Sequence, residues 1–422
     1  MKVCSASHHH SSSRHRDPGD RRMTSLSRQT LATILFGLIV FGTGQTVLFA
    51  MLGPVARDIG LDVVDVGLVV TVSALVVVVV SPFWGRAADR WGRTRTLTLG
   101  LAGYAVTTAL FAYVLHLGLI GDISVYVVFG LMLASRVLYA LVAAAIQPSA
   151  SAIVAAATDE AGRASGMALV GAGFVFGTIL GPVIGAGLVG WGLLTPLFAT
   201  AGLAGLAAIA TLVWVESPMG PETKAAKAAV KPSDPRLWPT LLLAALAFVT
   251  IAMTQQTLSF YVQDLLGLDS AAATRQVGFA LAGFALAALA SQILIVRQLS
   301  PTPRTMLRLG AAGLLTGFVA LGLAQNLALI VAGCIALGVG YGVIMPGLQT
   351  TASLAVGQAE QGAAAGLVSA AMALGFVVGP ILGTSLYYVE PRLPFLMAIG
   401  LSIGLLAAVA SDRLAPVARR IG

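Results

Sequence analysis

Arg136 is the one charged residue near the middle of a long apolar run, and the polar clusters Gln45-Thr46 and Gln255-Gln256-Thr257 interrupt two others. An arginine at the centre of hydrocarbon costs about 2.5–3.5 kcal/mol on insertion scales, so such a residue faces a cavity or a partner and performs a function. A fixed guanidinium recognises an anionic group; neutral amides and hydroxyls hydrogen-bond a solute that has shed its water. Tyr139 and Tyr341 add amphipathic ring surface to the fourth and tenth runs. Gln45, Thr46, Arg136, Tyr139, Gln255, Gln256 and Tyr341 are therefore the candidate substrate-binding residues. Each also has a simpler role open to it, as an interhelical hydrogen bond or core packing.

The missing chemistry is equally informative. No Asp or Glu lies inside the runs away from their ends, and His116 is the one histidine outside the N-terminal tail. No Ser-His-Asp, Cys-His or metal-ligand cluster is present, so no enzyme, metal or other cofactor is expected. Gly338-Val339-Gly340-Tyr341-Gly342 imitates a nucleotide loop, but no strand precedes it and helix packing is the better reading.

The elements that must hold these residues are long helices. With 422 residues, 57% hydrophobic, 10% charged and a mean hydropathy of +0.91, the chain lies outside the range of soluble domains. Runs long enough to cross about 30 Å of hydrocarbon fall near 30–52, 65–85, 96–118, 124–148, 163–187, 194–215, 238–262, 277–297, 305–325, 326–352, 363–388 and 393–411. The fold class is an all-α integral membrane protein of twelve spans. Residues 1–28 read as a disordered tail, 29–215 as one six-helix bundle, 216–237 as a Pro- and Lys-rich linker, 238–412 as a second bundle, and 413–422 as a tail.

Basic residues fix the orientation. Of the 25 Lys and Arg, only Arg57, Arg275 and Arg392 fall on the far side from the tails, and Arg136 lies within a span. Both termini are therefore expected to be cytoplasmic in a multi-pass cell membrane protein. The net charge of +8 marks juxtamembrane loops, not a nucleic-acid partner. Cys4 and Cys334 sit in the tail and in a span, so no disulfide between them is expected.

The two halves repeat. Pro148, Gly177, Gly181, Pro182, Gly185 and Pro196 recur at one constant offset as Pro346, Gly375, Gly379, Pro380, Gly383 and Pro394. Parallel six-span repeats related by an axis along the membrane normal form an architecture in which a solute binds near the midplane between halves that rock. A carrier is the reading this symmetry favours, with a non-transporting membrane sensor as the alternative of another class.

Residues 85–95, Gly-Arg-Ala-Ala-Asp-Arg-Trp-Gly-Arg-Thr-Arg, then add a family resemblance. Gly85, Asp89, Arg90, Gly92 and Arg93 resemble the loop signature of the major facilitator superfamily, at its expected place between the second and third spans. Thr94 departs from the usual second basic residue. Gly173, Gly177, Gly181, Pro182 and Gly185 resemble the fifth-span signature of its drug:proton antiporter branch, with Ala186 replacing a glycine. Arg136 matches the arginine of a third signature, although Tyr139 and Ala140 stand where glutamine and glycine are usual.

The resemblance implies the major facilitator fold of two pseudo-symmetric bundles and an inner gate. Asp89 is expected to cap the eleventh span near Gly362, and Arg93 to pair with Glu160 or Asp159. Gly177, Gly181, Pro182 and Gly185 are expected to let the fifth span pack and flex. The activity implied is export of small molecules by alternating access, coupled to protons, by a monomer in the lipid bilayer. Since no carboxylate sits at mid-span, the alternative is an anionic metabolite or siderophore-like chelator recognised by Arg136. Asp58, Asp62, Asp65, Asp122, Asp264 and Glu390 gather at the outer boundaries, where one of them could serve the coupling.

Overall fold

The computed structural model describes residues 27–158, 160–215 and 230–411. The tails and most of the linker lie outside the described residues. The helices are α1 (Arg28–Ile59), α2 (Val63–Trp91), α3 (Arg93–Leu119), α4 (Val125–Ala143), α5 (Ile146–Ala157), α6 (Glu160–Leu188), α7 (Thr195–Trp214), α8 (Trp238–Leu266), α9 (Ser270–Ser291), α10 (Pro303–Gly322), α11 (Leu327–Leu354), α12 (Gln361–Val389) and α13 (Leu393–Ala410). Among the described residues they supply twelve helical segments long and apolar enough to cross a bilayer, with α4 and α5 together making the fourth. In hydrocarbon the backbone must satisfy its own hydrogen bonds, which is why the apolar runs resolve into helices.

Helix ends follow from local chemistry. The side chains of Ser27, Asp269, Thr302 and Asn326 accept from backbone N–H groups at the starts of α1, α9, α10 and α11. Gly92 sits at φ 96°, a conformation open to glycine at little cost, and so turns α2 into α3 within one residue. The fourth span runs to Ala157, well past the expected end near residue 148, and it breaks between Ala143 and Ile146. Pro148 has no N–H to offer the Ala144 carbonyl four residues back, which accounts for the break. Its repeat partner Pro346 lies inside an unbroken α11.

Exposed aromatic residues mark two belts. Trp91, Trp214 and Trp238 ring the face that carries the 215–237 linker, while Tyr126, Trp191 and Tyr388 ring the opposite face. The helices between them show lipid-suited side chains such as Val79, Val106, Leu206, Leu212 and Ile403.

Two glycine seams organise the packing. A methyl group at Gly177 or Gly181 would overlap the α1 backbone at Ile39 or Thr43, and one at Gly375 would overlap α8 at Phe248. Gly379 and Gly383 meet Ala252 and Met253 in the same way. The Thr43 hydroxyl donates to the buried carbonyl of Gly177 at 3.2 Å. The repeated stripes thus seat α6 on α1 and α12 on α8, letting backbones approach where small residues permit it. Gly338, Gly340 and Gly342 pack α11 against α9 and α10, as helix packing requires of that glycine run.

The two faces differ. On the opposite face the halves meet closely: Gly53 touches Phe260, Gly67 packs under Thr384, and the Pro182 carbonyl abuts Gly278. Ser270 donates to the Pro54 carbonyl at 3.2 Å and the Ile381 N–H to Thr71 at 3.2 Å, both across the halves. On the linker face, a methyl group at Gly85, Gly171, Gly362 or Gly366 would meet nothing within 4 Å.

Adding one carbon at a seam is an overpacking change, which costs about 1–3 kcal/mol. Gly177→Ala and Gly375→Ala should therefore lower the midpoint of thermal unfolding in detergent, whereas Gly171→Ala and Gly366→Ala should leave it unchanged or raise it. Equal behaviour of the two pairs would show that the seams do not hold the bundles.

Candidate functional site

Three of the seven candidates form one connected cluster in the first half. Arg136 and Tyr139 lie on α4, one turn apart, so their side chains leave the same face. The guanidinium carbon sits 3.9 Å from the centre of the Tyr139 ring and 5.7 Å from that of Phe111 on α3. Gln45 on α1 donates through Nε2 to the Tyr139 hydroxyl. Behind Tyr139 stands Tyr104, edge-on at 5.7 Å, which in turn meets Phe41 at 5.4 Å. Tyr104 fills the space a side chain at position 44 would take, and Gly44 makes room for it.

Arg136 is thus a buried cation held by ring faces. It is 9% exposed, and its Nε has no hydrogen-bond partner. The Ser73 hydroxyl bonds the Arg136 carbonyl at 3.1 Å and ties α2 to this point. The space beside the guanidinium, among Gln45, Tyr104, Thr108, Phe111 and Leu197, is about 10 Å³, room for one water. A larger recess, about 490 Å³, lies elsewhere, between α1 and α7 at Phe36, Leu206 and Trp214, with almost wholly apolar walls.

The other candidates are dispersed. Thr46 turns its hydroxyl back to the Thr43 carbonyl at 3.2 Å. Gln255 is half-buried, while Gln256 is 3% exposed with its side-chain oxygen unpartnered. Tyr341, half-buried on α11, packs between Phe248 and Phe284 at 5.8 and 5.5 Å. Of the candidates, only those of the first half form a connected polar cluster, and it holds the charge. The repeat partner of Arg136 is Cys334, buried in α11.

The expected gating residues divide likewise. Gly177 and Gly181 lie in the α1–α6 seam, Gly185 faces Val47 at 3.7 Å, and Pro182 touches the second half through Gly278. Gly85 has open space around it, Arg90 is exposed, Gly92 turns the chain and Arg93 opens α3. Asp89 lies in the last turn of α2 and Glu160 at the start of α6. Their side chains, and all of Asp159, lie outside the described residues, as therefore do the expected cap on α12 and the Arg93 pairing.

Two constellations carried no sequence signal. Tyr104 and Phe111 are aromatic residues in an apolar span, indistinguishable there from lipid-facing ones. The second is ionic and sits on the linker face. Arg236 forks onto Glu360 at 3.0 and 3.2 Å and onto Asp234 at 2.8 Å, clasping the linker to the start of α12. The Arg236 fork, and then the Gly357 N–H, hold the Glu360 carboxyl below its usual range. The fork also lowers Asp234.

The fold now defines a class: a membrane carrier of two six-span halves with a polar cluster between helices of the first. The family model described as Major Facilitator Superfamily matches residues 34–364 and 271–420. The chain belongs to the major facilitator superfamily, a family of transporters and not of enzymes. It is 25% identical over 390 residues to Multidrug resistance protein 1 of Bacillus subtilis, covering 90% of this chain and 96% of that one. It is 24% identical to Quinolone resistance protein NorA of Staphylococcus aureus, covering 88% and 93%. Among solved structures, nucleoside transporter NupG superposes with a TM-score of 0.69 at 14% identity, covering 92% and 98%. An inward-facing, unoccupied bacterial homolog of human Spinster superposes at 0.69 with 15% identity, covering 92% and 93%.

Two measurements test this geometry. Arg136→Lys keeps the charge and loses the plane that stacks on Tyr139, so it should cost about 1–2 kcal/mol in thermal stability. Tyr139→Phe keeps the ring and orphans one amide hydrogen of Gln45, for about 1 kcal/mol. A larger loss in Tyr139→Phe would make the hydroxyl, not the ring face, the main contact. For the clasp, Glu360 has a depressed folded value, so its contribution is present above the ordinary carboxylate range and is lost as pH falls through the lower folded value. Hydrogen exchange at the Gly357 amide, corrected for its intrinsic pH dependence, should speed up in that window; in Glu360→Gln the change should vanish.

Proposed function

We propose that this transporter exports small lipophilic molecules from the cytoplasm across the cell membrane, driven by the inward proton gradient. The observation that carries the reading is the near full-length similarity to two proteins named for drug resistance, one for multidrug and one for quinolone resistance. The fifth-span stripe at Gly177, Gly181, Pro182 and Gly185 accords with it. So does the chemistry of the polar cluster, where neutral amides and aromatic rings are available and the guanidinium is sealed behind Tyr139. Such surfaces suit varied apolar solutes better than one fixed charge would.

The basic residues support a cytoplasmic linker face, with both termini on that side. In that orientation the chain is closed toward the exterior, and a solute enters from the cytoplasm between the halves. Rocking of one half against the other, each held rigid by its own seam, would then open the outer face. An anionic substrate held by Arg136 is the weaker alternative, because about 10 Å³ is too little for a carboxylate. The transporter acts as a monomer in the bilayer, and protons are its expected co-substrate.

Reconstituted vesicles decide the matter. With an imposed pH gradient, a lipophilic cationic dye should accumulate and the accumulation should collapse on adding an uncoupler. Accumulation that ignores the gradient would overturn proton coupling; flux of an anionic probe alone, lost in Arg136→Lys, would replace the drug reading with the anionic one.

A further inference from the structure

The carboxylates at the outer boundary do not share one role. Asp65 bonds the backbone N–H of Asp62 at 3.1 Å, and Asp269 caps α9 through the Ala272 N–H. Glu390 bonds the backbone N–H of Arg392 at 2.9 Å. These are local contacts that finish helices and turns. Asp264, in the last turn of α8, differs because its partners come from two other helices in both halves.

Arg57 of α1 sets both guanidinium nitrogens on Asp264, Nη1 on Oδ1 and Nη2 on Oδ2 at 3.0 Å. Tyr387 of α12 donates its hydroxyl to Oδ2 at 2.5 Å. Arg57 also reaches Gln263 at 3.4 Å, which passes on to Ser270 at 3.3 Å and thence to the Pro54 carbonyl of α1. Its guanidinium lies 5.3 Å from the centre of the Phe260 ring, and that ring meets Tyr387. The loop therefore starts and ends on α1 and passes through α8, α9 and α12.

We propose that Arg57, Asp264 and Tyr387 are the outer lock of the transport cycle, and that its strength sets how often the empty transporter opens outward. Exposed ion pairs contribute little as a rule, but a bidentate fork with a third donor on the same carboxylate is the strong kind. The side chains of Arg57 and Asp264 keep 33% and 39% of their surface, open to the exterior in this conformation. Asp264 therefore acts in this proposal through its contacts with Arg57 and Tyr387, as the carboxylate on which both helices close. This inference rests on the proposed orientation for the word outer; the lock itself does not depend on it.

Distance measurements between spin labels test it without substrate or gradient, so the outcome is separate from what is exported. Labels at Ile120→Cys and Leu323→Cys, exposed outer ends of α3 and α10, report the gap between halves once Cys4 is replaced by Ser. The unaltered lock should give mainly the short distance. Asp264→Asn, which mimics the protonated carboxyl, and Arg57→Gln should each raise the long-to-short ratio about tenfold. Tyr387→Phe should shift it the same way by less. Distance distributions unchanged by both Asp264→Asn and Arg57→Gln would overturn the proposal.

Discussion

Lipid tails offer helices no hydrophobic reason to associate, so what holds this molecule together is close backbone approach where side chains are absent. The α1–α6 and α8–α12 seams are that approach made twice. Gly177 and Gly181 let α6 lie on the carbonyls of Ile39 and Thr43, and Gly375, Gly379 and Gly383 do the same for α12 on α8. Between the halves, α1 meets α8 at Gly53 and Phe260, Pro182 meets α9, and α12 meets α2, all away from the linker face.

From that constraint comes a hinge-like asymmetry. On the face opposite the linker the inter-bundle surface is made of glycine contacts and hydrogen bonds, from Gly53 and Gly67 to Ser270–Pro54 and Thr71–Ile381. On the linker face Gly85, Gly362 and Gly366 meet open space. Packed interfaces are bistable and not continuously deformable, so a chain closed at one end and loose at the other is one member of a pair of states. The clasp of Arg236 on Glu360 shows that the linker is tied to the start of α12, one of the two helices of the second-half seam, and so follows that half as it moves.

Arg136 breaks the symmetry of this duplicated plan. A cation sealed between Tyr139 and Phe111, with Cys334 as its counterpart, gives the first half an electrostatic character that the second lacks. Ring faces lower the cost of burying the charge, and the Gln45–Tyr139 bond carries its influence to α1. The cluster therefore links a residue at the core of one bundle to the helix that also bears Arg57.

The number of spans, the duplication and the identity of the seam glycines were all legible in the sequence, because hydrocarbon thickness, backbone self-sufficiency and the need for small residues leave a one-dimensional trace. Arg136 was legible too, since a charge amid apolar residues is visible at any position. The sequence could not show that Arg136 turns into its own bundle, that Pro148 breaks the fourth span while Pro346 leaves α11 whole, or that Asp264 bridges the halves. Those outcomes depend on which residues far apart in the chain arrive at the same height and azimuth. That is set by how tightly each pair of helices packs, and it is settled when the chain folds in three dimensions.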